Sequence, residues 1–392
     1  MSHRLISHSS DLKRLRDEGY EIEVKNAHLL VHSIPYVNSK REILRGTLVT
    51  PLGDLAGDRT AKPQNHVIFF AGEHPCDKEG NIIKGIQHSS GRKPLAEGIE
   101  VDHSFSNKPP SGYADYYEKV TNYIRIISSQ AQAIDHTVTA KTFKVVEPND
   151  PDIVFNYLDA NSSRAEIETI SAKLQNLKVA IIGLGGTGSY VLDFVAKTPV
   201  REIHLFDEDN FLSHNAFRAP GAASIDALRK QPKKVAYLND VYSKIHKHIF
   251  PHEYHLTSST LEELSGMNFV FICIDRGEAK KLIIEKLIGA AIPFVDVGIG
   301  IDVVDGLLTG SARVTTGTSK KNDHINKRIS FADGGNDDYN KNIQIAEINA
   351  LNAALAIIKW KKLFGFYHDL EKEYHTVYEI NTNKLVNDET VP

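Results

Sequence analysis

Cysteine is almost absent: Cys76 and Cys273 are the only two in 392 residues. Two thiols cannot build a disulfide framework, a four-cysteine zinc site or a CxxC redox pair, so no structural zinc is expected. Long apolar runs are missing as well. The stretch Phe269 to Ile274 stops far short of the ~20 residues a membrane helix requires, and Met1 to Leu12 holds no apolar segment of signal-peptide length. Neither sign of charge dominates. Forty-six basic against 50 acidic residues give a net charge of −4, which offers no whole-chain case for binding nucleic acid or an anionic membrane. These absences predict a cytoplasmic protein with reduced thiols. What is present is ordinary for a globular chain, 41% hydrophobic and 24% charged. At ~150 residues per domain, the length predicts two or three domains.

The first 150 residues differ in texture from the rest. A short charged helix around Asp11 to Glu18 precedes strand-like runs at Glu21–Val24, Ala27–Tyr36, Glu42–Thr50 and His66–Phe70. Gly72 to Ser111, rich in His, Gly, Ser and Pro, reads as a long irregular stretch. The spacing of Tyr116, Val120, Tyr123, Ile124 and Ile127 predicts an amphipathic helix over Tyr113 to Asp135. This half reads as a smaller α+β accessory domain, 1–150, ending in a linker at Pro148-Asn149-Asp150-Pro151. Beyond it, Ser163 to Leu177 reads as a helical lead-in. Strands at Lys178–Ile182, Glu202–Phe206, Phe269–Ile274 and Pro293–Val297 then alternate with helices at Gly188–Ala196, Lys234–Ile245, Gly277–Ile288 and Ile343–Lys361. That alternation predicts an α/β domain over 151–392 with a doubly wound, mainly parallel sheet. The polar segment Thr315 to Asn342 reads as a long mobile loop.

The strongest local feature is Val179-Ala-Ile-Ile-Gly183-Leu-Gly185-Gly186-Thr187-Gly188-Ser189. An apolar strand running into GxGGxG and then a helix puts backbone N–H groups and a positive helix end where a nucleotide phosphate can sit. The next strand ends in Asp207-Glu-Asp209, and an acidic residue there can hold ribose hydroxyls of a dinucleotide or of ATP. Downstream stand Asn215, Arg218, Lys233, Lys234 and Asp275. One amide, several cations and a carboxylate are poor equipment for hydride transfer. They suit phosphate chemistry: cations neutralise a triphosphate and a departing pyrophosphate, and a carboxylate holds Mg²⁺.

Together GLGGTGS at 183–189, the series Asp207, Asp209, Asn215 and Arg218, the QPKKV lysines and the apolar strand ending in Asp275 resemble the ThiF/HesA-type adenylyltransferases, relatives of the ubiquitin-activating enzymes. The resemblance covers roughly Ser163 to Phe366 and implies a Rossmann-like fold. It also implies ATP and Mg²⁺, with adenylation of the C-terminal carboxylate of a ubiquitin-like protein or peptide. Residue by residue it places Gly183, Gly185, Gly186, Thr187 and Gly188 under the phosphates, Asp207 on the ribose and Asp209 beside the nucleotide. Asn215, Arg218 and Lys234 fall on the triphosphate, and Asp275 on the metal. Arg164 matches an arginine that reaches a partner subunit's nucleotide, which implies a homodimer. Arg276 stands where the family usually has asparagine. The first half resembles an uncharacterised domain that precedes such modules in bacterial proteins, a resemblance that brings no activity with it.

Many relatives pass the acyl group to a cysteine after the sheet, but no cysteine follows Cys273, and Cys273 lies inside an apolar run. Three routes stay open: direct delivery, capture by a hydroxyl of Thr315-Thr316-Gly-Thr318-Ser319 with His324 as base, or transfer to Cys76 near His66, His74, His88 and His103. The histidines His246, His248, His252 and His255 read as a solvated helix end and loop. The expected function is ATP-dependent activation of a ubiquitin-like protein in a bacterial conjugation pathway, with a possible downstream conjugating protein. Adenylation of a small peptide or a tRNA base, an NAD-dependent oxidoreductase and a non-catalytic nucleotide sensor are the alternatives.

Overall fold

The computed structural model describes residues 2–53, 59–145, 153–331 and 343–390. The chain divides into two compact units, Met1–Pro148 with Leu158–Glu166, and Asn149–Tyr157 with Ile167–Pro392. The proline-rich linker at 148–151 lies outside the described residues. The helical lead-in is split between the units: Ala160–Arg164 belongs to the first, Glu168–Ser171 and the 3₁₀ turn Ala172–Leu174 to the second.

In the first unit six strands form one antiparallel sheet: β1 (Ile22–Lys25), β2 (His28–Val37), β3 (Ile43–Pro51), β4 (Val67–Ala71), β5 (Gln87–Ala96) and β6 (Ile99–Ser106), in the order β1-β2-β3-β4-β6-β5. The hairpin β5–β6 occupies what reads in sequence as an irregular stretch. β5 is an edge strand whose side chains from Gln87 to Pro94 are all exposed, so no apolar alternation marks it. The expected helix forms at Tyr116–Ile134. Asp115 caps it by accepting from the Glu118 N–H at 2.7 Å, and Glu118 accepts from the Ala114 N–H in return. Its buried face, Tyr116, Val120, Tyr123 and Ile127, packs on Leu29, Val31, Phe70 and Phe105 of the sheet.

Lys119 lies on that same buried face, 1% exposed, and donates to Thr50 Oγ1 (2.9 Å) and the Asn65 carbonyl (3.1 Å). Burial pulls its pKa from 10.5 down to about 8. Below pH ~8 the folded and unfolded chains both carry the proton and the cost of burying it is full; at higher pH only the unfolded chain keeps it. Stability of this unit should therefore rise by about 3 kcal/mol between pH ~8 and ~10.5. Urea unfolding followed by circular dichroism across that window checks this, and the rise should vanish in Lys119→Met.

The second unit is built on eight strands: β7 (Lys178–Ile182), β8 (Glu202–Phe206), β9 (Ile249–His252), β10 (Phe269–Ile272), β11 (Phe294–Val304), β12 (Leu307–Gly317), β13 (His375–Glu379) and β14 (Lys384–Asp388). Their order is β14-β13-β12-β11-β10-β7-β8-β9. From β11 to β9 all pairs are parallel, and β12, β13 and β14 add antiparallel strands. Both faces of the parallel part are covered: Val179, Ile181 and Phe271 pack with Val191, Leu192 and Trp360 on one side, Ala180, Ile182 and Ile272 with Ile283 and Leu287 on the other. This is the doubly wound architecture expected for an apolar βαβ pattern.

Three expectations are corrected here. The strand expected to end at Val297 runs to Val304 and returns as β12, so Thr315 to Gly317 are buried strand residues rather than loop. The turn between them, Asp305 (φ 51°) and Gly306 (φ 76°), has the left-handed pair that a two-residue hairpin demands. The described remainder of the expected loop holds the short helix Ile325–Arg328, and 332–342 lie outside the described residues. The histidine group is not a solvated loop. His252 belongs to β9 and stacks on Phe206 and His204. His246, fully buried, donates from Nε2 to the Val200 carbonyl at 2.9 Å, and burial holds its pKa down near about 4. Among the described residues no helix is long and apolar enough to cross a membrane.

Candidate active site

The turn from β7 into the helix Gly186–Val195 has no room for side chains at three of its glycines. Gly183 has φ +88°, and a Cβ there would lie 2.6 Å from the Cys273 carbonyl. A Cβ on Gly188 would strike the Gly183 carbonyl, and one on Gly186 the Asn349 amide. Gly185 is different. It has φ −74°, and its Cβ position meets nothing within 4 Å, because it faces a cavity of about 570 Å³. That cavity sits at the C-terminal edge of the parallel strands, where open α/β sheets bind ligands. Gly183, Gly185, Gly186, Thr187, Asp207, Asp209, Arg218, Lys234 and Asp275 all line it.

The fold explains each placement. Asp207, at the end of β8, is 5% exposed and accepts from the Leu184 N–H (2.7 Å) and the Asp209 N–H (2.9 Å), so it anchors the glycine loop as well as facing the cavity. Lys234 is the first residue of the helix Lys234–Tyr242, whose Val235, Leu238 and Tyr242 are buried. The lysine is thus left at the sheet edge, where its ammonium lies 2.7 Å from Asp209 and 3.5 Å from Asp207. Lys233 turns away to the Glu208 carbonyl. The Lys234 hydrogen bond holds the Asp209 carboxyl below its usual range. Burial lowers Arg218 while the charge of Asp275 opposes that shift. Arg218 Nε and Asn215 Nδ2 are buried with no hydrogen-bond partner among the described residues; the Arg218 donor, on the cavity wall, suits an anion. Asn215 itself, which accepts from the Leu212 N–H, stands outside the cavity lining.

Arg164, expected to act on a partner subunit's nucleotide, is held within its own unit. It lies in the first unit, where Nε and Nη2 donate to the Asp17 carbonyl at 3.2 and 2.8 Å and the guanidinium lies over Phe143. Among the described residues the one His/carboxylate group with metal-ligand spacing is Glu208, Asp209 and His255, with the Lys234 ammonium already on Asp209. Asp275 is not part of it.

Neither cysteine has the setting of a reactive thiol. Cys76 is 1% exposed, donates to the His74 carbonyl, and is pushed up by burial and by the charges of Asp77 and Glu73. Cys273 is pushed up further by burial. A reactive cysteine needs the opposite, a stabilised thiolate. Among the hydroxyls, Thr315 and Thr316 are buried in β12, and among the described residues no hydroxyl of the 315–319 segment is hydrogen-bonded to His324.

Some residues that build the site are invisible to motif reading. Asn349, fully buried on the helix Ala346–Leu363, accepts from the Thr187 hydroxyl at 2.8 Å and presses on Gly186. Lys280 and Arg313 line the far end of the cavity. A buried amide in an apolar helix is a signal in itself; the two cations follow from no local spacing.

Residues 10–160 match a domain of unknown function, DUF6791, and residues 167–303 match the ThiF family. No curated protein matches the chain. Solved structures similar to it include E. coli MccB with succinimide, 19% identical over 56% of this chain and 66% of that one, TM-score 0.44. E. coli MccB with ATP gives 19%, 56%, 66% and 0.43, and PaaA in selenomethionine form gives 18%, 57%, 76% and 0.45. The match thus spans just under two thirds of the MccB chain. Behind the domain of unknown function, residues 167–303 form a ThiF-family domain.

Proposed function

We propose that the second unit is an ATP-dependent adenylyltransferase that activates the C-terminal carboxylate of a ubiquitin-like protein or peptide. The observation that carries this is a single cavity in which an open glycine loop, Lys234, Arg218 and Asp275 meet. Two cations, Lys234 and Arg218, in one cavity with a helix N-terminus favour triphosphate over hydride chemistry. In the reaction a carboxylate oxygen of the substrate attacks the α-phosphorus, the bond to the β-phosphate oxygen breaks, and acyl-adenylate and pyrophosphate result. No protein nucleophile is needed; Lys234 and Arg218 supply charge, and the loop N–H groups orient the phosphates. Asp275 would hold Mg²⁺, which neutralises charge on the leaving group. With Cys76 buried and the Cys273 thiol, which lines the cavity, pushed up by desolvation, neither is set up as an acyl acceptor, and the acyl group passes directly to an external nucleophile.

Substrate-dependent ATP–pyrophosphate exchange tests the reading; nucleotide binding with no exchange for any carboxylate substrate would leave a sensor instead, and a preference for NAD an oxidoreductase. A second expectation separates ligand space from packing. Gly185→Val meets open space, so it should leave the melting temperature unchanged while weakening ATP binding by about tenfold or more, since the side chain fills the phosphate approach. Calorimetric titration and thermal unfolding of the same sample check both halves.

A further inference from the structure

Across the mouth of the cavity the strands run β12, β11, β10, β7, β8. Asp207 follows β8, the glycine loop follows β7 and Asp275 follows β10. At ~4.8 Å per strand, β11 stands ~10 Å from the strand that carries the loop. A nucleoside on β8 with its phosphates on β7 therefore leaves the β11–β12 end free for the second substrate. That end is cationic. Asp296 on β11 is fully buried, and its two oxygens serve two cations: Arg313 Nη2 at 2.6 Å and the Lys280 ammonium at 3.0 Å, the latter off the hydrogen-bonding direction. A structural ion pair needs only one of them. Two cations against one carboxylate leave a net positive charge on the cavity wall.

Arg313 is built into position. Its guanidinium lies flat against Gly298, where a Cβ would come 2.7 Å from Nη2. Nη1 donates to Thr315 Oγ1 at 2.5 Å, and that hydroxyl in turn sits 3.0 Å from His375 Nδ1. Burial and the nearby Arg328 and Arg313 push the His375 pKa down to about 4, so the ring that shares the Thr315 hydroxyl with Arg313 is neutral. Two of the five guanidinium N–H groups are spent this way; the others share a side chain that remains partly exposed.

We propose that Arg313 and Lys280, held by Asp296, form a carboxylate-binding subsite that seats the terminal carboxylate of the acyl substrate. This rests on the adenylation reading of the same cavity. A planar fork matches a carboxylate in a way a lone ammonium does not, and the phosphate end already has its own cations in Lys234 and Arg218.

The test titrates glycylglycine and glycylglycinamide into the full chain, with and without the non-hydrolysable ATP analogue AMPCPP, following the Arg313 Nε–H resonance, which is assigned by its loss in Arg313→Lys. Glycylglycine should shift the resonance and the amide should not. Titrated by calorimetry, since the resonance is gone in both variants, Arg313→Lys and Arg313→Ala should each weaken glycylglycine about tenfold, with AMPCPP affinity within about twofold of wild type. Arg313→Lys keeps a cation on Asp296, so it reports even if Arg313→Ala does not fold. Equal binding of the amide, or unchanged glycylglycine binding in the variants, overturns the proposal. A loss confined to AMPCPP, or competition by inorganic phosphate as strong as by glycylglycine, assigns the cations to the nucleotide and overturns it too. The two arms separate the two readings: a wild-type chain that fails to bind AMPCPP sinks the adenylation reading, while the subsite stands or falls on glycylglycine in the nucleotide-free arm.

Discussion

Lys234→Ala should lower substrate-dependent ATP–pyrophosphate exchange by about 10²- to 10³-fold, the scale seen when one preorganised group facing developing charge is removed. The ammonium is almost fully buried between Asp207 and Asp209, and a triphosphate entering the cavity would draw it away from Asp209, which is half exposed and can return to water. The lysine is thus pre-positioned, at little reorganisation cost, where charge accumulates on the leaving pyrophosphate. Removal also leaves Asp207 without its cation, and Asp207 anchors the glycine loop through the Leu184 N–H, so part of the loss should appear as a raised KM for ATP. Asp209→Asn separates the parts: it frees Lys234 without removing it, and exchange should fall by no more than about tenfold. Full exchange in Lys234→Ala would remove this residue from the chemistry.

The elements legible in the sequence are those coded locally. An apolar strand, a glycine turn and a helix lie within Lys178 to Val195, and Lys234 is placed by the phase of its own helix. Residues contributed by distant pairings are not legible in that way. Arg313 faces Gly298 only because β12 folds back on β11, and Asn349 reaches Thr187 across 162 residues of chain. One non-local element did carry a local sign: Val303-Val304-Asp305-Gly306-Leu307-Leu308 places Asp-Gly between apolar pairs, the composition of a two-residue hairpin. β5 carried no sign at all, since an exposed edge strand needs no apolar alternation.

Asp296→Ala should cost about 3–5 kcal/mol, because it leaves two cations facing each other with no counter-charge at a largely buried site. At ~2–4 °C per kcal/mol for a unit of this size, the melting temperature should drop by roughly 10 °C. Trp360 is the only tryptophan in the chain and packs against Phe271 in this unit's core, so its fluorescence follows this unit alone. The double variant Asp296→Ala/Lys280→Met should recover part of the loss, since Arg313 keeps Thr315 and one uncompensated charge is gone. Asp296→Asn, which keeps the shape and one acceptor, should cost less than Asp296→Ala for the same reason. If instead Asp296→Ala melts within about 1 °C of wild type, both cations are solvated in the cavity and the carboxylate is not what holds them in place.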